Sequence, residues 1–436
     1  ALSIGAGSTG AGSFVFHGTG NTLSGNVATA QSLRLEGVGC INSSATLTAA
    51  SGFTNAGTIV LDDAPSGCAP VTLTVSSGTL TNTGAITTAT TGAGLRTINA
   101  TLVNSGTVAI NTDTTFTGSY TTTGSVTVAS GKTLTLGGTT PGFTVSGGSL
   151  QVDGTLDSSA GLAFTQDGGT TTVNGIFTMA TGSFTFNGGS FAGNAPVLAN
   201  VALTIGAGST GAGSFTLHGV SNTISGTVAA AQSLRLEGVG CINSSSTLTA
   251  AAGFTNAGSI VLDNNPGGCA PVTLTVNAGT LTNTGSITTG ATGGGSRTIN
   301  ATLNNLGTLT SNASLTVNGD VANGGPSTAG TINPGGVGAA GCMTINGNYT
   351  QLAGGILNVD VGGTSVCSQF DRMTISGTAG VDGTLNAAAI NGFNPVAGDF
   401  IVLTASSLSG TFATTNLPPT WVVFYDLADV RLQAQM

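Results

Sequence analysis

Short runs in which Val, Leu, Ile and Phe alternate with Thr and Ser recur along the chain, as in Val71-Thr72-Leu73-Thr74-Val75. A period of two puts the apolar side chains on one face and the hydroxyls on the other, which predicts half-buried β-strands. Gly and Asn separate these runs and predict tight turns between short strands. No long stretch has a helical period, and the chain holds one Lys (Lys132) and two Glu (Glu36, Glu237), residue types that solvent-facing helices favour. The pattern predicts an all-β fold throughout.

The runs are themselves repeated. Residues 1–110 align without a gap onto residues 202–311 with 84 identities, a tandem duplication with a period of 201 residues. The segment from Gln31 to Ser44 recurs unchanged from Gln232 to Ser245. Inside each copy a shorter unit, apolar-x-Asn-x-Gly-x-apolar, starts at Phe53, Leu80 and Leu102, and again at Phe254, Leu281 and Leu303. Looser versions start at Phe143, Phe164 and Phe184. Units of roughly 20 to 27 residues, each with two or three short strands, predict a β-solenoid of some 16 to 20 coils. One coil cannot bury its apolar face alone, whereas coils stacked about 4.8 Å apart pair each other's backbone. Gly and Asn are expected at the corners, where φ is often positive. The expected segments are a first solenoid copy (1–110), connecting rungs (111–201), a second copy with a Gly/Pro-rich junction (202–335) and a C-terminal β-rich cap (336–436).

The last segment carries its own series: Pro334-Gly335, then Met343 to Gln351, Gly354 to Val361, Gly383 to Leu385, Gly398 to Ala405 and Gly410 to Phe412. This series resembles the C-terminal part of bacterial autotransporter-type passenger β-helices over about the last quarter of the chain. The resemblance implies a bacterial surface or secreted β-helix. An autotransporter continues into a membrane β-barrel, and the sequence reaches Met436 without one, so the β-helix is implied and the barrel is not.

Composition removes other classes. Seven Lys plus Arg against sixteen Asp plus Glu, a net charge of -9, cannot release the counterions on which nucleic-acid binding depends. Thr, Ser, Asn or Gly interrupts every apolar run, so no segment reads as a membrane-spanning helix. The 72 Gly residues follow no triplet register, which excludes collagen. Charge is too sparse and hydropathy too high for a disordered polymer.

The six cysteines could be free thiols, a metal site or disulfides. They fall as Cys40/Cys68, Cys241/Cys269 and Cys342/Cys367, with no CxxC and no nearby His pair, which disfavours zinc. Three sequential disulfides fit best among the fifteen possible pairings. Spacings of 28, 28 and 25 residues are about one coil, so each pair should join adjacent rungs. Disulfides point to an oxidising compartment, outside the cell or in a periplasm.

Groups able to carry chemistry are few. Asp62-Asp63 is the one adjacent carboxylate pair, and its duplicate is Asp263-Asn264, so a turn is expected there rather than a glycosidase dyad. His17 and His218 have no partner nearby in sequence and read as polar rung residues. Arg34 and Glu36, repeated as Arg235 and Glu237, should form a surface ion pair on the outer face of a strand. Arg96 and Arg297 should satisfy turn carbonyls. Thr46/Thr48, Thr72/Thr74 and Thr133/Thr135 could form a flat threonine array, but their spacing along the chain is irregular. No cofactor, metal or catalytic residue is expected.

The ends suggest assembly. Ala1 begins a unit whose twin at Ala202 lies inside the array, while the stretch around Trp421 is the most apolar of the chain. A solenoid edge exposes unpaired backbone, so Ala1, Leu2 and Ile4 of one molecule are expected to meet Trp421, Val423, Phe424 and Tyr425 of another. A heterologous contact of this kind propagates into a fibre. The sequence thus points to a non-enzymatic extracellular protein at the bacterial cell surface, a fibre subunit or adhesin stalk whose main partner is itself. The alternatives are an adhesin for surface glycans or other cells, and a polysaccharide-acting enzyme if Asp62, Asp113, Asp153 and Arg96 converge in one groove.

Overall fold

A computed structural model describes residues 1–436 except 42, 159–160, 395–397 and 436. The chain is an all-β solenoid of about 15 turns, divided into two compact units, Ala1–Ser214 and Phe215–Met436. The coil count falls short of the expected 16 to 20 because many rungs are longer than about 20 residues. Stacked residues are 26 apart at Leu47 and Leu73 and 25 apart at Leu73 and Ile98, but 21 and 20 apart along Phe143, Phe164 and Phe184.

In the first unit one face is a nine-stranded parallel sheet running in chain order from Gly12–Phe16 to Ser190–Gly193. The other faces stack in the same sense. Phe53, Leu80, Leu102, Tyr120, Phe143, Phe164, Phe184 and Leu203 lie above one another in a single inward column. The rings of Tyr120, Phe143, Phe164 and Phe184 stack at 4.6, 5.7 and 4.9 Å. Strict alternation produces this column, because parallel pairing puts like on like once every rung points the same parity inward.

The recurring Asn and Gly have other roles than those expected. Asn55, Asn82 and Asn104 are fully buried, and each sits two residues beyond an inward Phe or Leu. Asn55 donates to Asn82 Oδ1 and Asn82 to Asn104 Oδ1, both at 2.7 Å, and Asn104 donates to Thr122 Oγ1 at 3.1 Å. The second unit repeats the ladder through Asn256, Asn283, Asn305 and Asn323 at 2.8 Å per step. The glycines that follow, Gly57, Gly84 and Gly106, do not have positive φ. They are glycine because backbones approach closely: a Cβ on Gly84 would lie 2.1 Å from Gly57 O, and one on Gly106 2.1 Å from Gly84 O. Positive φ does occur in the looser units, at Gly148, Gly169 and Gly189.

In the second unit, parallel stacking continues through the series from Cys342–Asn346 to Gly398–Thr404. The last hairpin reverses. Asp429–Ala434 pairs antiparallel with Gly398–Thr404, and Trp421–Tyr425 pairs antiparallel with Asp429–Ala434. Trp421 is buried and its ring stacks on Phe400 at 5.6 Å. The indole belongs to the intramolecular core, and the outward residues of that strand are Val422, 38% exposed, and Phe424, whose ring lies under Arg431.

The three expected disulfides, Cys40–Cys68, Cys241–Cys269 and Cys342–Cys367, are present with Cα separations of 4.6, 4.6 and 4.9 Å. Those distances are one strand spacing, so each bond staples loops of neighbouring rungs.

Candidate functional site

The two histidines and two glutamates of the chain all belong to one ionic arrangement made twice. On the first unit's outer face His17 bonds Glu36 at 2.8 Å, and Arg34 reaches Glu36 at 2.9 Å and Asp62 at 2.5 Å. The second copy places His218 on Glu237 at 3.0 Å, with Arg235 on Glu237 at 3.1 Å and on Asp263 at 2.9 Å. The expected Arg–Glu pairs form, and stacking adds partners no local spacing reveals: Glu36 comes up beside His17 one rung later, and Asp62 beside Glu36 one rung after that. The hydrogen bond from His17 holds Glu36 below its ordinary carboxylate range. At Glu237 burial opposes ionisation, and the bonds from His218 and Arg235 outweigh it, with the same result.

Asp62-Asp63 is not a turn. It ends the strand Thr58–Asp63, and both side chains are buried. Arg96 is fully buried and donates to the carbonyls of Gly94 and Thr91, as expected; burial lowers its pKa from the ordinary guanidinium value, and the charges of Asp63 and Asp62 offset this only in part. Arg297 repeats this on Gly295 and Thr292. The second copy has Asn264 in place of Asp63, so Asp263 alone faces both Arg235 and Arg297, the latter at 3.7 Å. Removing one partner of a buried pair leaves an uncompensated charge. Asp263→Ala is therefore expected to destabilise its unit by on the order of 2 kcal/mol more than Asp62→Ala does the other, because Arg96 keeps Asp63. Urea unfolding of the two variants gives the comparison.

The carboxylates considered for catalysis bond elsewhere. Asp113 accepts from the Thr133 N–H, and Asp153 accepts from Gln151 and Asn174. No group of three His, Cys, Asp or Glu able to hold a metal occurs among the described residues.

A groove of about 560 Å³ opens in the first unit, where the strand pairing shifts register between Asn99 and Thr101 and between Thr117 and Ser119. Its walls are Thr74, Asn99 and Thr117 on one side and Ser77, Thr101 and Ser119 on the other, with Gly118 and Gly138 at the shift and Pro141 at one end. Both glycines have φ above 100°, and a Cβ on Gly118 would lie 2.3 Å from Ala100 O. The lining carries no charge. Asn99 donates to Thr74 Oγ1 and accepts from Thr117 Oγ1, which fixes that wall. In the second unit the matching wall is an outer amide ladder, Asn300–Asn318–Asn346, at 2.8 Å per step.

The threonines beside the groove are more regular than their sequence spacing. Thr46, Thr72, Thr97, Thr115 and Thr135 form one outward column, and Thr247, Thr273, Thr298, Thr316, Thr344, Thr374 and Thr404 form another in the second unit. Loops of unequal length take up the irregularity. The groove and the columns escaped the sequence reading for that reason. The buried Asn ladder did leave a signal, since Asn two residues after an inward Phe has inward parity.

The family model described as Haemagglutinin repeat matches residues 7–87, 208–285 and 272–333. No curated protein matches the chain. The matched residues fall on the rungs of the two duplicated blocks and of the stretch that follows the second. The chain is similar to adhesin-like surface β-helix proteins.

Proposed function

We propose that the chain is an extracellular, non-enzymatic adhesin stalk at the bacterial cell surface. The observation that carries this reading is the haemagglutinin-repeat match on stacked parallel rungs, an architecture that gives extended surfaces rather than enclosed pockets. The disulfides between adjacent rungs support an oxidising compartment. Beads coated with the purified chain are expected to agglutinate or bind host or neighbouring bacterial cells. Absence of binding across a panel of cell types would remove the adhesive reading.

The groove favours a ligand class within that role. An uncharged lining of hydroxyls and one amide suits a neutral, hydroxyl-rich chain, and rungs about 4.8 Å apart come close to the length of one sugar ring in an extended glycan. We therefore propose a neutral linear oligosaccharide along Thr74, Asn99 and Thr117. Glycan-array binding that falls about tenfold in Ser119→Trp, with the fold intact by circular dichroism, is the expected outcome. Binding unchanged by Ser119→Trp, or confined to sulfated glycans, would exclude the groove.

A further inference from the structure

We infer that the second unit carries a binding groove for a neutral oligosaccharide of 2-acetamido sugars, in which the outward amides of Asn358, Asn386 and Asn416 bond the acetamido groups while Val337 and Ala388 take their methyl groups. The site shares no residue with the hydroxyl groove of the first unit, and it stands whether or not that groove takes a sugar.

Alternation and stacking build the polar side of the groove. Asn358 alternates with buried Leu357 and Val359 and so faces outward. Asn358 donates to Asn333 Oδ1 at 2.7 Å, Asn386 to Asn358 Oδ1 at 2.8 Å and Asn416 to Asn386 Oδ1 at 2.7 Å. A side-chain amide has two N–H donors and two carbonyl lone pairs, so this ladder leaves Asn358 and Asn386 one N–H and one lone pair each. In the buried ladder of the same unit the second N–H is spent on backbone: Asn283 donates also to Thr308 O and Asn305 to Thr331 O, both at 3.0 Å. Among the described residues no protein group takes the second N–H of Asn358 or Asn386. These amides instead line a concavity of about 300 Å³.

The rest of the lining decides the ligand class. Asp360 and Ala388 pair two residues further along the strands that carry Asn358 and Asn386, and Ala388 is exposed. Val337 is 86% exposed on a loop that is nevertheless fixed, since Gly338 N donates to Asp360 Oδ2 and Gly341 N to the buried Asp371 Oδ1, both at 2.7 Å. A wall that is already ordered costs little to order on binding. An acetamido group has a carbonyl that accepts an N–H, an N–H that donates to a carbonyl, and a methyl group that needs an apolar surface, and the groove sets all three partners side by side. A plain hexose chain would put hydroxyls against Val337 and Ala388. A sulfated or uronate chain would meet Asp360, and among the described residues no Lys, Arg or His lines the groove to pair with it. An extended peptide repeats its outward groups every 6.8 Å or so, out of step with amides about 4.8 Å apart, whereas one sugar ring is close to one rung.

The test is calorimetric titration of the whole chain with tetra-acetylated chitotetraose, beside cellotetraose and the deacetylated chitotetraose. The acetylated chain is expected to bind about tenfold or more tighter than cellotetraose, and its affinity to fall about tenfold in Asn386→Leu and in Ala388→Trp. Ala388→Trp fills the groove from an exposed position, and unchanged circular dichroism of both variants separates lost binding from lost folding. In saturation-transfer NMR the acetyl methyl protons should receive the most magnetisation, and less in Val337→Ser. No binding at millimolar sugar, equal or tighter binding of cellotetraose or of the deacetylated chain, or full affinity in Ala388→Trp would overturn the inference. Affinity lost in Ser119→Trp and kept in Ala388→Trp would also overturn it, because the sugar would then belong to the hydroxyl groove of the first unit.

Discussion

Gly84→Ala is expected to lower the stability of the Ala1–Ser214 unit by about 3 kcal/mol or more. The new methyl carbon would lie 2.1 Å from Gly57 O and 2.6 Å from Ala56 O, and these are backbone atoms of the rung below. A flexible side chain could move aside, but a rung cannot move without losing its ladder bonds. Gly84 N donates to Asn55 O and Ala85 N to Gly57 O, so the separation that admits the methyl group breaks the pairing that defines the coil. In a solenoid each rung is stabilised mainly by its neighbours, so the loss spreads outward from the site. Gly10→Ala is the control: a Cβ there meets nothing within 4 Å, and its φ is not positive. The variant should equal or slightly exceed wild type. Urea midpoints and amide exchange of residues 53–110 report both outcomes; a Gly84→Ala protein as stable as Gly10→Ala would show that the rungs are not in backbone contact there.

Asn82→Ala is expected to cost about 3 kcal/mol, more than an average core truncation of its size. Its Nδ2 donates to Asn104 Oδ1 and to Thr107 O, and its Oδ1 accepts from Asn55. Truncation leaves Asn104 Oδ1 buried without a donor, opens a cavity and removes one of the two acceptors of Asn55 Nδ2. An unmade bond at a buried polar group costs more than the made bond contributes. Asn82→Ala/Asn104→Ala should therefore cost clearly less than the sum of the single variants, because the second change removes a group the first had orphaned. A double variant that costs the full sum would mean that the amides act independently. The structure contains a natural precedent: the ladder ends at Thr122, and Val145 occupies the next position of the same column.

Parity and periodicity are local properties, so much of the fold is legible in the chain. Alternation at Val71-Thr72-Leu73-Thr74-Val75 identified the strands and their inward faces, and the duplication identified the stacked units. Cysteines about one coil apart identified the disulfides, because one coil is also the vertical neighbour in a solenoid. The C-terminal series was read as a cap and proves to be mostly further rungs with one antiparallel hairpin. Asn55, Asn82 and Asn104 were expected at corners and are buried instead; their parity, two residues after an inward Phe or Leu, carried that signal.

Register required the folded chain. His17 meets Glu36 19 residues away, while Asn55 meets Asn82 27 residues away and Asn104 meets Thr122 18 residues away. Rungs differ in length because loops absorb the difference, so no constant spacing states which side chains stack. The backbone ladder aligns them, since parallel hydrogen bonding fixes neighbours residue by residue whatever the loop between them. By itself the sequence determined an all-β, disulfide-stapled repeat with an apolar inside and a hydroxyl-rich outside. Only the tertiary structure decided which outward residues stand side by side: the threonine columns, the hydroxyl groove and the paired His–Glu–Arg–Asp networks. Those are contacts across rungs, and only a folded stack has neighbouring rungs.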